Sequence, residues 1–176
     1  MSRTLLAIAL LLLTGSAWAG GVSVLGFEIS KTSLDAVKTS VSKKAELTFK
    51  GNNRASKGPM YTAPGSAFDI EGLHRVIFVF DDSQTLQCVI LTMDKSRFDT
   101  VLEHLRAKYT VVASDISPVG RKFVHLHGGT TTIELSAPHM SFEMDVRYLD
   151  DAMVEAFDRI TSQDKADQDA KEAAKF

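Results

Sequence analysis

Two stretches of the chain follow one pattern, and that pattern limits the folds open to it. Arg75–Phe98 reads RVIFVFDDSQTLQCVILTMDKSRF, and Thr131–Val154 reads TTIELSAPHMSFEMDVRYLDDAMV. Each holds two alternating runs around a polar turn, followed by an acidic residue that opens a helical spacing. Alternation at period two sends successive side chains to opposite faces of a strand. A polar turn between two such runs makes an antiparallel hairpin. The expectation is therefore α+β: an antiparallel sheet from two tandem hairpin–helix units, with the helices packed on one face.

Set against each other at an offset of 56 residues, Ile77, Val79, Leu86, Cys88 and Ile90 fall on Ile133, Leu135, Phe142, Met144 and Val146. These residues are expected on the face the helices cover. The opposite face then carries Glu134, Glu143, Asp145 and Arg147 in the second unit, but Phe78, Phe80, Val89 and Leu91 in the first. Burying side chains of this kind is worth roughly 1.5–3 kcal/mol each, so such a face is expected to be covered.

Residues 51–72, GNNRASKGPMYTAPGSAFDIEG, read as a long irregular connection, yet they carry Met60, Tyr61, Phe68 and Ile70. Three covers are open: this loop folded back, a protein partner or second copy of the chain, or an apolar small ligand held between loop and sheet. The candidate binding residues are Met60, Tyr61, Phe78, Phe80, Val89 and Leu91.

Around these units, Val22–Ile29 reads as an extended entry, and Ala45–Lys50 as a short strand. Leu34, Val37 and Val41 lie at helical spacing behind a capping-box-like Thr32-x-x-Asp35. Phe98, Val101, Leu102, Leu105 and Tyr109 mark a second amphipathic helix, and Met153, Phe157 and Ile160 a third. Gly128–Gly129 between two alternating runs predicts a two-residue hairpin turn.

The first residues combine a basic start (MSR), the apolar run TLLAIALLLLTG and a small-x-small site at Ala17-Trp18-Ala19. That is the form of a secretory signal peptide over residues 1–19. A single α+β domain is expected over 20–161, with a polar tail over 162–176. The one cysteine, Cys88, is not beside the cleavage site, so no lipid anchor is expected there. No later run approaches the roughly 18 apolar residues of a spanning helix. The expectation is a soluble chain without a membrane anchor, periplasmic or secreted. Net charge is −2 and no basic block occurs, which disfavours nucleic acid as a partner.

Among five histidines, the pair His125-x-His127 is the sharpest. On adjoining strands His125, His127 and Glu134 share a polar face, a set that can ligate zinc or copper. The competing reading is an exposed strand that carries histidines. The sequence has no phosphate-binding Gly loop, no Cys-x-x-Cys and no Gly-x-Ser-x-Gly. Cys88 sits in a strand-like apolar run, where a buried thiol outweighs a nucleophile. Nothing forms a catalytic set, and the chain reads as a binding module rather than an enzyme.

FEISKTSLDAVKTSV, with the order of helices and short strands, resembles the small exported proteins grouped around beta-lactamase inhibitor protein and the SmpA/OmlA outer-membrane assembly lipoproteins. The likeness covers about fifteen residues and rests on Thr32 to Ala36-Val37. Ser30-Lys31 stands where that pattern has Gly-Met, and its lipid-bearing Cys is absent. The resemblance implies a non-enzymatic module whose open sheet face grips another protein. It assigns no individual residue a role.

Overall fold

The computed structural model describes residues 21–176; the expected signal segment 1–19 lies outside the described residues. The chain enters through a small hairpin, β1 (Ser23–Val24) and β2 (Phe27–Glu28). Its turn residues Leu25 and Gly26 both have positive φ, at 55° and 84°, as a primed hairpin turn requires. There follow α1 (Leu34–Val41), β3 (Thr48–Asn52), β4 (Lys57–Pro64), β5 (Leu73–Asp81), β6 (Leu86–Asp94) and α2 (Phe98–Arg106). The chain ends with β7 (Thr110–Ile116), β8 (Lys122–Gly128), β9 (Thr131–Ala137), β10 (Glu143–Asp150) and α3 (Asp151–Ala173).

Strands β3 to β10 form one sheet in the order β3-β4-β5-β6-β10-β9-β8-β7, antiparallel throughout. The fold is α+β with a dominant antiparallel sheet. Among the described residues, no helix is long and apolar enough to cross a membrane.

The second hairpin buries Ile133, Leu135, Met144 and Val146 as expected, but the faces of the first lie the other way round. Val76, Phe78, Phe80, Val89 and Leu91 belong to the main core. They pack there with Ile133, Leu135 and Val146, under Phe27 of β2, Leu34 and Val37 of α1, and Leu102 of α2. The register gives the reason. Leu91 lies opposite Val146 and Val89 opposite Tyr148 across the β6–β10 pair. Directly opposed residues share a face, so the core-facing residues of the two hairpins align at an odd offset. An even offset slips one hairpin by a residue and transfers every side chain to the other side. Phe142, equated with buried Leu86 at the even offset, is instead 94% exposed between β9 and β10.

Ile77, Val79, Cys88 and Ile90 face away from the main core. With Met60, Leu149 and Met153 they make a second, smaller cluster. Met153 belongs to α3, whose first turns thus meet a different cluster from the one holding α1 and α2.

Segment 51–72 is not one irregular loop. It contains the end of β3, all of β4 and a 3-10 turn at Gly65–Ala67. A Cβ on Gly58 would stand 2.0 Å from the Asp81 carbonyl oxygen, so glycine lets β4 approach β5 at a bulge.

The β8–β9 turn also shifts. Gly128 pairs with Thr131, so the turn residues are Gly129, at φ 60°, and Thr130. A Cβ on Gly128 would lie 2.7 Å from the Tyr109 ring. At the start of α1, Ser33 rather than Thr32 is the cap and accepts from the Ala36 amide at 3.3 Å. The Thr32 hydroxyl accepts from the Glu28 amide at 2.8 Å instead.

Candidate binding groove

The second sheet face is apolar on one half and polar on the other. Met60 of β4 lies opposite Val79 of β5, Ile77 lies opposite Ile90 of β6, and Val79 opposite Cys88. Leu149 of β10 continues the patch beside Cys88. Farther along, Ile90 meets Arg147, and Arg147 meets Glu134 of β9. The patch ends in charge.

Helix α3 starts beside this patch. Asp150 caps it, its carboxylate accepting from the Ala152 amide at 2.9 Å. Met153 is buried against Val79 and Cys88. Farther along, Asp164 accepts two hydrogen bonds from Arg54 in the β3–β4 turn, at 3.0 and 3.1 Å. Arg54 lowers the Asp164 pKa through those bonds, and Asp164 in turn raises that of Arg54.

Between helix and sheet lies a cavity of about 480 Å³. Its floor is Ile77, Val79, Cys88 and Ile90, and its helical wall is Met153, Val154 and Phe157. Asn53, Glu134, Arg147 and Asp158 stand around it. The Phe157 side chain, 44% exposed, forms part of the mouth.

Burial pushes the Cys88 thiol up to about 12; Arg147 opposes this and Glu134 adds to it. The floor thus presents a neutral thiol at physiological pH, not a nucleophile.

Of the residues singled out from sequence, Met60 lines this groove. Tyr61, its neighbour, turns to the main core, edge-on to Phe49 at 5.6 Å and to Phe80 at 6.3 Å. Phe78, Phe80 and Val89 are fully buried core, and Leu91 lines a separate cavity beneath α2. Ile77, Val79, Cys88 and Ile90, expected on one face with Ile133 and Leu135, form the floor on the opposite face instead. Their signal was in the sequence: at an offset of 55 residues Val79, Cys88 and Ile90 fall on the charged Glu134, Glu143 and Asp145.

The histidine pair is divided. His125 lies opposite Glu134, whose carboxylate stands 3.6 Å from Arg147 Nη1. His127 Nε2 lies 2.9 Å from Asp151 Oδ2, while Asp151 Oδ1 accepts from the Thr132 hydroxyl at 2.9 Å. Asp151 opens α3, so His127 joins β8 to that helix. Among the described residues, no group of three or more His, Cys, Asp or Glu side chains is arranged to hold a metal ion.

Comparison with known proteins returns no matching family model, no similar curated protein and no similar solved structure.

Proposed function

We propose that this chain is an exported, non-enzymatic binding module that holds an apolar small ligand between α3 and the second sheet face. The observation that carries this reading is the groove itself: about 480 Å³, floored by aliphatic side chains and a neutral thiol. That volume falls within the roughly 300–1,000 Å³ of small-molecule sites, where apolar walls bind and a few polar groups orient. The reading is supported by Glu134 and Arg147, an ion-paired couple on the cavity wall that would orient a ligand. Export is supported by the signal-peptide pattern of residues 1–19.

The same proposal takes β5-β6-α2 and β9-β10-α3 as copies of one hairpin–helix unit, joined through β6 and β10. It also keeps the resemblance to the beta-lactamase-inhibitor-like and SmpA/OmlA-like proteins, with the gripping surface moved to the groove.

Titration with N-phenyl-1-naphthylamine, a neutral apolar fluorophore, tests the binding reading. The native chain is expected to enhance its fluorescence saturably. Ile90→Asp and Phe157→Asp should each weaken binding at least about tenfold with an unchanged circular dichroism spectrum. No enhancement by the native chain, or equal binding by both folded variants, overturns the small-ligand reading.

A further inference from the structure

A second cavity, of about 460 Å³, lies on the opposite side of the sheet. Its floor is Leu91 and Met93 of β6 with Val146 and Tyr148 of β10. Val101 and Leu105 of α2 form one apolar wall, and β1 with the turn at 69–71 forms the other. Cationic and donor groups gather around this apolar interior. Arg97 stands just ahead of α2, His104 lies on it, and Lys108 and Tyr109 follow its end. Burial raises the pKa of both Tyr109 and Tyr148, so each phenol keeps its proton.

Arg97 is the informative member. Its Nη1 forms an ion pair with Glu71 Oε2 at 2.9 Å, while Asp69 is the other carboxylate lining the cavity. Its Nε is buried, and among the described residues it finds no hydrogen-bond acceptor. A buried donor without an acceptor costs about 1–3 kcal/mol and calls for an explanation. The ion pair with Glu71 leaves Nε without a partner among the described residues. The edge through Nε is the one a carboxylate can take as a two-pronged acceptor once the side chain swings into the cavity. Lys108 and the phenols add further donors on the same lining.

We propose that the cavity beneath α2 is a second binding site, for a small amphipathic carboxylate whose apolar body lies on Leu91, Met93 and Val146 and whose head group is held by Arg97. The site shares no lining residue with the groove on the other face, although β6 and β10 contribute to both.

Isothermal titration calorimetry of the full chain with octanoate, and with 1-octanol as the uncharged analogue, provides the test. Octanoate is expected to bind the native protein at least about tenfold more tightly than octanol. Arg97→Met, which keeps the apolar stem, should remove that preference. Arg97→Lys, which keeps the charge but loses the Nε edge, should also reduce it. Phe157→Asp, in the other groove, should bind octanoate as the native chain does. Absence of octanoate binding, an unchanged preference in folded Arg97→Met, or loss of binding in Phe157→Asp instead would each overturn the proposal.

Discussion

Phe78 and Phe142 are the same residue type with opposite fates. Phe78 is fully buried, edge-on to Phe27 at 5.7 Å and tilted against Phe68 at 6.3 Å, whereas Phe142 is 94% exposed. Phe78→Ala should therefore cost about 3–5 kcal/mol in urea unfolding, the range for emptying a packed aromatic site. Phe142→Ala should stay within about 0.5 kcal/mol. Alternation along β5 and β6 is legible in the sequence, but its phase is not. Val76, Phe78 and Val89 make one apolar side; Ile77, Val79, Cys88 and Ile90 make an equally apolar other. Only β10 breaks the tie, because Val146 and Tyr148 are buried while Asp145 and Arg147, which alternate with them, are not. An even offset discards that information.

Among the elements, β4 was the least legible. Gly58, Pro59 and Pro64 are loop formers by composition, yet the close approach of β5 at Gly58 demands glycine within a strand. The helices were clearer, since Leu34, Val37 and Val41, or Phe98, Leu102 and Leu105, recur at helical spacing and are buried. Helix α3 combines two regimes: Met153 packs on the second cluster, whereas every residue from Thr161 to Phe176 is exposed. Beyond the first turns its tie to the sheet is the Arg54–Asp164 pair, itself exposed and screened by solvent. Ending the chain after Ser162 should lower the far-ultraviolet helical signal while leaving the urea midpoint unchanged. A clear fall in the midpoint would show that the distal helix supports the domain.

For the molecule as a whole, burial fixes the direction of its response to alkali. Cys88, Tyr148 and Tyr109 are all raised by desolvation and are neutral in the fold. Unfolding returns each to its ordinary value, roughly 8.5 for a thiol and 10 for a phenol. The unfolded chain therefore loses protons first, and stability present below about pH 8.5 declines as the pH rises toward the folded values. Cys88, fully buried and held near 12, contributes a slope of up to about 1.4 kcal/mol per pH unit across that window. Urea midpoints measured from pH 8 to 11 should fall, and Cys88→Ala should flatten the curve. An identical slope in that variant would mean the thiol is not what alkali titrates.

One backbone serves as the partition between two chambers. Ile90 and Leu91 are consecutive residues of β6 that look into opposite cavities, as do Val146 and Arg147 of β10, with Val146 toward α2 and Arg147 toward α3. A guest that displaces either strand on one side necessarily reshapes the wall on the other. Whatever influence the first occupant has on the second must be returned in equal measure, because the cross-effect is a property of the doubly filled state rather than of either guest.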